Sequence, residues 1–78
     1  VDIDWEFPVS GGLQPGSAAD ARNYVLLLDA LRKSIGSGKL LTIAASASPR
    51  GIDPIEYADM AGILDWVNVM TYDLYGAW

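Results

Sequence analysis

The chain alternates between segments whose hydrophobic pattern is typical of β-strands and segments whose apolar residues recur at helical spacing. Residues 1–8 alternate polar and apolar side chains, which predicts a β-strand that ends at Pro8. Residues 39–48 are almost continuously apolar, a pattern typical of a strand covered on both faces. Residues 67–73, Val-Asn-Val-Met-Thr-Tyr-Asp, are predicted as a third strand. The hydrophobic pattern thus predicts three strands.

The first stretch between strands carries a helix signal. Turn-forming residues at 9–16 predict a surface loop. Ser17 followed by Asp20 resembles a capping box, so we expect a helix to start here and to end at Gly36. Apolar residues recur at helical spacing in between, namely Ala21, Tyr24, Val25, Leu28, Leu31 and Ile35. Asp29 and Lys33 are spaced as an i,i+4 ion pair on the other side of this helix.

The second stretch carries a stronger helix start. Asp53 stands at the N-cap and Pro54 at the first helical position, and Glu56 completes the box. This helix should run to about Gly62. The order is therefore strand, helix, strand, helix, strand, with crossovers long enough for parallel pairing, which defines an α/β chain. Three parallel strands alone would have two open edges, and a (β/α)₈ barrel needs about 250 residues, so the length corresponds to roughly three of its eight units.

Composition excludes several kinds of chemistry. The 78 residues contain no cysteine and no histidine, which excludes disulfides, thiolate zinc sites, a cysteine nucleophile and a Ser-His-Asp triad within them. Ten acidic against five basic residues give a net charge of -5, which repels phosphate, so we expect no nucleic-acid partner. No apolar run approaches the roughly 20 residues of a membrane span, and no membrane partner is expected. We predict no metal and no cofactor.

Three carboxylates form the candidate chemistry. Because side chains alternate along a strand, Asp2, Asp4 and Glu6 are expected on one face, with Trp5 on the other, towards the helices. Neighbours in this row have Cα atoms about 6.5–7 Å apart, so mutual repulsion should keep at least one carboxyl group protonated near neutral pH. The group nearest the carboxyl end of the strand would reach a substrate. We therefore expect Glu6 to act as an acid and Asp4 to tune its charge.

Two other interpretations fit the same acidic row. Alternating acids are commonly the solvated polar face of a half-exposed sheet. Alternatively, Asp-x-Asp-x-Glu offers oxygen ligands for calcium or magnesium, although the glycine and the ligand order of an EF-hand loop are missing.

A second motif distinguishes between these interpretations. The Asp-x-Asp-Trp-Glu sequence at 2–6, together with Met-Thr-Tyr-Asp at 70–73, resembles the family 18 glycoside hydrolases, the chitinases and their relatives. Residues 68–78 resemble a later barrel strand and its loop in this family, and residues 41–46 the strand between the two motifs. The earlier Asp and Gly of the catalytic signature would lie before Val1. The resemblance implies that residues 1–78 are part of a catalytic domain, truncated at both ends.

The resemblance implies a TIM barrel that hydrolyses β-1,4 bonds between N-acetylglucosamine units of chitin with retention. The family mechanism is substrate-assisted. In it, Glu6 matches the proton donor, and Asp4 matches the residue that orients the acetamide and stabilises an oxazolinium ion. Asp2 matches a buried acid behind Asp4 that helps to set its protonation. Tyr72 matches a phenol that binds the acetamide oxygen, and Asp73 an acid in the same subsite.

The resemblance also suggests two substrate-binding residues. Met70 shares the strand parity of Tyr72 and would lie at the floor of the sugar site, unless it only fills the core. Trp78 matches an aromatic residue that stacks on a sugar ring. We expect chitin or its oligosaccharides as the partner, activity only in the full barrel, and secretion, which the family alone implies. A non-catalytic chitin-binding lectin and an endo-β-N-acetylglucosaminidase acting on N-glycans are the alternatives.

Overall fold

The computed structural model describes residues 1–9, 16–47 and 57–71. These residues form three strands and two helices, in the predicted order. In chain order they are β1 (Asp2–Ile3), α1 (Asp20–Ile35), β2 (Thr42–Ser46), α2 (Tyr57–Met60) and β3 (Trp66–Met70).

The three strands form one parallel sheet in the order β1-β2-β3. Asp2 lies opposite Thr42, and Thr42 lies opposite Trp66 on the other side. The pairing of β2 with β3 continues without a break to Ser46 and Met70. This register confirms the predicted parallel α/β arrangement and places β2 in the centre of the described sheet.

All three strands differ in extent from the prediction. β1 covers two residues instead of eight, because its described pairing with β2 ends at Ile3 and the chain then bends. Near the end of this segment, the Pro8 carbonyl accepts a hydrogen bond from the Ser17 N–H at 3.3 Å. β2 begins at Thr42 rather than at residue 39, because the Lys39 carbonyl is bound by the Arg32 side chain at 2.8 Å. β3 spans 66–70 rather than 67–73, and residues 72–73 lie outside the described part.

Helix α1 ends where the sequence predicts and begins later. Gly36 follows the helix with a φ of 75°, and its N–H donates to the Arg32 carbonyl at 2.9 Å. Glycine adopts this left-handed conformation without a steric penalty. At the other end, the Asp20 carboxylate accepts the Ser17 N–H at 3.1 Å, which is one half of the expected capping box. Residues 17–19 form a turn, and regular helix starts at Asp20.

The predicted ion pair on α1 is present. Lys33 Nζ lies 2.7 Å from a carboxylate oxygen of Asp29, at the i,i+4 spacing. Helix α2 ends at Met60, two residues before the predicted end at Gly62, and a turn follows at residues 61–63. The predicted cap residues Asp53, Pro54 and Glu56 lie outside the described residues.

The hydrophobic core lies between α1 and one face of the sheet. Its fully buried members include Leu28 from α1, Leu41 and Ile43 from the β2 segment, and Met60 from α2. The other buried apolar residues of the cluster are Tyr24, Val25 and Ala45. Helical spacing had predicted the α1 members of this cluster. The expectation that β2 is covered on both faces holds only in part, since Ala44 and Ser46 are half-buried on the side away from α1.

Arg32 joins the amino ends of β2 and β3 to α1. Its guanidinium donates to the Ile63 carbonyl at 2.9 Å and to Asp65 Oδ2 at 2.7 Å. The same Asp65 oxygen accepts the Leu41 N–H at 2.8 Å, and the Asp65 N–H donates back to the Leu41 carbonyl at 2.8 Å. The bond from Arg32 and then that from Leu41 hold the pKa of Asp65 below its ordinary value of 3.8. We call Arg32, Asp65 and their backbone partners the Arg32 cluster.

Candidate active site

The acidic residues alternate with residues that pack on the core. Asp2, Asp4 and Glu6 are all exposed, whereas the intervening Ile3 and Trp5 are half-buried and pack against the core cluster. The alternation therefore continues through residue 6 although β1 ends at Ile3. As predicted, Trp5 lies on the helix side. Asp2 lies on the opposite face of the sheet, where it contacts Thr42 and Asn68, and the alternation assigns Asp4 and Glu6 to the same side.

Asp2 is held by residues of both other strands. Its Oδ1 atom accepts a hydrogen bond from Thr42 Oγ1 at 2.7 Å and a longer one from Asn68 Nδ2 at 3.4 Å. The indole N–H of Trp66 in turn donates to Asn68 Oδ1 at 3.1 Å. We call Asp2, Thr42, Asn68 and Trp66 the Asp2 network. It joins β1, β2 and β3 on the polar face.

The position of Asp2 along the sheet is set by the strand register. It lies level with Thr42 and Trp66, the first residues of β2 and β3. Because the strands are parallel, Asp4 and Glu6 follow Asp2 in the direction of the carboxyl ends of the sheet, which Ser46 and Met70 mark on the other strands. In α/β folds, substrates bind outside these carboxyl ends. The arrangement places Asp2 deeper in the sheet than the end at which a substrate would be bound.

Met70 lies on the same face as the Asp2 network. Strand alternation from Trp66 through Asn68 puts it there, opposite Ser46 and half-buried. The predicted site residues Tyr72, Asp73 and Trp78 lie outside the described residues. The peptide bond between Glu6 and Phe7 is cis.

Two aromatic residues lie behind the acidic row, on its helix side. The rings of Trp5 and Tyr24 meet edge to face, with centroids 5.2 Å apart at an angle of 64°. Burial, and to a smaller extent the proximity of Tyr57, Asp4 and Asp2, raises the pKa of the Tyr24 phenol well above its ordinary value. The Tyr24 hydroxyl is buried, and no residue of the described part bonds it. Tyr24 is therefore a neutral packing residue.

Within residues 1–9, 16–47 and 57–71, no group of three or more acidic side chains is arranged to hold a metal ion. No described helix has the length and apolar character needed to cross a bilayer.

Sequence reasoning did not assign a role to Thr42, Asn68 or Trp66. The signal was present, because Thr42 and Asn68 are polar residues in two mainly apolar strands. Finding their partner, however, required the register that puts Thr42 opposite Asp2, which periodicity within one strand does not supply.

A parallel α/β unit with carboxylates directed to the carboxyl ends of its strands is a typical scaffold of barrel hydrolases. Comparison with known proteins specifies the family. The model of the glycosyl hydrolases family 18 matches residues 1–78, and the chain belongs to this family. The resemblance noted from the motifs is thereby confirmed.

The relatives are chitinases by name. Chitinase A1 of Niallia circulans is 47% identical over 87 aligned residues, which cover 100% of this chain and 12% of that protein. Chitinase 63 of Streptomyces plicatus is 37% identical and is covered to 13%. Among solved structures, chitinase ChiA74 from Bacillus thuringiensis superposes with a TM-score of 0.88 at 38% identity, with 100% of this chain and 14% of that one covered. The chain thus spans about an eighth of the length of these relatives.

A family 18 N-acetylglucosaminidase from Paenibacillus barengoltzii is a further structural neighbour. It superposes with a TM-score of 0.79 at 37% identity, and the match covers 100% of this chain and 25% of that protein. Enzymes of more than one name within the family therefore share this segment.

Proposed function

We propose that residues 1–78 form three consecutive strand-helix units of a TIM barrel, and that the whole protein hydrolyses β-1,4 bonds between N-acetylglucosamine units of chitin. The three described strands are parallel and in sequential order, as neighbouring strands of such a barrel are. Family membership and relatives named chitinases support the substrate. In this proposal, the face that carries the acidic row is the inside of the barrel.

In the proposed mechanism Glu6 supplies the proton. Cleavage of a glycosidic bond generates a poor alkoxide leaving group, so a carboxylic acid must protonate the bridging oxygen as the bond breaks. The nucleophile is the carbonyl oxygen of the sugar's own N-acetyl group, which attacks the anomeric carbon and forms a cyclic oxazolinium ion. Glu6, now ionised, then removes a proton from the water that opens this ion. Two inversions at the same carbon give net retention.

The other acids stabilise what this reaction creates. Asp4 orients the acetamide and places a negative charge beside the oxazolinium cation. Asp2 lies behind Asp4 and helps to set its protonation. Tyr72 donates to the acetamide oxygen and Asp73 lines the same subsite. Because the nucleophile is part of the substrate, no second carboxylate has to attack the sugar. The substrate must therefore carry an N-acetyl group.

Substrate contacts beyond these acids are assigned to two residues. We place Met70 at the floor of the sugar site, on the face it shares with the Asp2 network. Trp78 is assigned to stack on a sugar ring near the leaving group. Because chitin is insoluble, the enzyme would act outside the cell, and a neighbour from Paenibacillus is described as cell-surface-expressed.

The observation that carries the proposal is the exposed acidic row, in a chain that belongs to this hydrolase family. The test is the whole protein acting on chitin oligosaccharides, with products separated by chromatography and the first anomer formed identified by NMR. Glu6→Gln keeps the size of the side chain and removes its acidity, so kcat should fall by about 10²-fold or more. Asp59→Asn, a surface change on α2, is the control and should leave kcat unaffected. Wild-type-like turnover in Glu6→Gln would disprove the assigned role of this residue.

The alternative functions predict different experimental outcomes. A lectin on this barrel would bind the oligosaccharides without cleaving them, and the presence of Glu6 with both aspartates argues against it. An endo-β-N-acetylglucosaminidase would instead cleave the core of an N-glycan. The similarity to a family 18 N-acetylglucosaminidase favours a second candidate activity on the same bonds, release of single sugar units. The length of the first products distinguishes this activity from internal cleavage.

A further inference from the structure

The Asp2 network has a defined direction. An indole N–H can only donate, so the Asn68 oxygen must face Trp66 at 3.1 Å. The amide NH₂ of Asn68 is then the group that faces Asp2. Thr42 donates its hydroxyl proton to the same carboxylate oxygen. Both neighbours of Asp2 Oδ1 are therefore donors, and they come from two different strands.

From this geometry, we propose that Thr42 and Asn68 are positioning residues of the hydrolase, which bind one oxygen of Asp2 from two neighbouring strands and so hold this carboxylate in place behind Asp4. The inference rests on the proposed function, because it gives a role to the residues behind the acid that the mechanism needs. Trp66 acts one step further away, by fixing which end of the Asn68 amide faces Asp2.

The burial of Thr42 supports this assignment. Thr42 is only 5% exposed and is flanked in the chain by Leu41 and Ile43. A buried hydroxyl is costly unless it is bonded, whereas valine would fill the same volume without a polar atom. The Thr42 hydroxyl donates to the Asp2 carboxylate at the short distance of 2.7 Å. A threonine at this position is explained by the carboxylate that it binds.

The first test is Thr42→Val in the whole protein. The hydrogen bond to a charged group is lost while shape is kept, so we expect kcat on chitin oligosaccharides to fall about tenfold and KM to stay within about twofold. Thr42→Ser keeps the hydroxyl and should restore kcat. A purely structural role would not lower kcat at a normal KM and be rescued by serine.

The second test is Asn68→Ala, with Asn23→Ala as a matched control. Asn23 also donates its amide to an aspartate, Asp20, at 3.2 Å, but on the exposed side of α1. Because the Asn68 bond is long, we expect about a threefold fall in kcat with KM within about twofold of wild type. Asn23→Ala should leave kcat and KM unchanged. If Thr42→Val does not fold, as judged by its thermal transition, Asn68→Ala decides by the same measurement of kcat and KM.

Three outcomes would overturn the inference. The first is an unchanged kcat in folded Thr42→Val and Asn68→Ala variants while the wild type is active, which would leave the proposed function standing. The second is a Thr42→Ser enzyme no better than Thr42→Val, which would point to packing. The third is a wild-type protein that does not hydrolyse chitin oligosaccharides, which would remove the proposed function and this inference together.

Discussion

Truncation of Leu28 tests most directly how α1 is attached to the sheet. This side chain is 0% exposed and belongs to the cluster that also contains Leu41 and Ile43. Leu28→Ala removes three carbons from the core. The folded state loses the free energy gained by burying them, about 2.4 kcal/mol at about 0.8 kcal/mol each. Rigid strands on one side prevent collapse, so a cavity of about 60 Å³ would add about 1.5 kcal/mol. We expect the free energy of unfolding to fall by about 4 kcal/mol.

The same helix supplies a matched control, Leu26→Ala, in which the same atoms are removed from a residue that is 53% exposed. Its loss should be at least about 2 kcal/mol smaller than that of Leu28→Ala, because the exposed side chain leaves no comparable cavity. The assay is urea unfolding of the whole protein followed by tryptophan fluorescence, with the midpoint and slope compared between variants. Equal losses in the two variants would refute the proposed packing of α1 through its Leu28 face.

Three further predictions concern the Arg32 cluster and the sheet edges. Arg32→Ala should lower Tm more than Lys33→Ala, because the Arg32 side chain is 21% exposed and joins several partners while Lys33 is 76% exposed; equal Tm values would contradict this. Since the folded-state pKa of Asp65 lies below 3.8, its stabilising contribution is present above that pH and disappears as pH falls through the lowered value. In a series of melting curves below about pH 4, the variant Asp65→Asn should therefore lose less stability than wild type. Equal losses of stability in the two proteins would contradict the role assigned to Asp65. Expressed alone, residues 1–78 should show no cooperative melt in calorimetry, because Val69 is 56% exposed on an open sheet edge, and a sharp transition would disprove this.

Local sequence signals predicted the elements better than their lengths. The α1 face with Tyr24, Val25 and Leu28 followed from helical spacing, and the end of α1 followed from Gly36. The strand at 1–8 was predicted too long because alternation of side chains continues through Glu6, although pairing ends at Ile3. Alternation reports which face a residue takes, whereas the extent of a strand depends on its neighbour in the sheet.

The candidate site was predictable where it depends on one segment. Asp2, Asp4 and Glu6 could be placed on one face from alternation alone. The contacts of Asp2 with Thr42 and Asn68 connect residues 40 and 66 positions apart, and no local pattern encodes them. The same holds for Arg32 and Asp65, 33 positions apart. Both sets depend on strand register, which the sequence of a single segment leaves undetermined.

The Arg32 cluster and the Asp2 network are separated by single peptide bonds, since Leu41 precedes Thr42 and Asp65 precedes Trp66. The paired bonds between Leu41 and Asp65 fix how β2 and β3 are aligned at their first residues. A slip of one residue would turn every side chain of a strand to the opposite face and would carry Asn68 away from the carboxylate. By binding Asp65, the Arg32 guanidinium therefore helps to fix the strand register that places Asn68 beside Asp2.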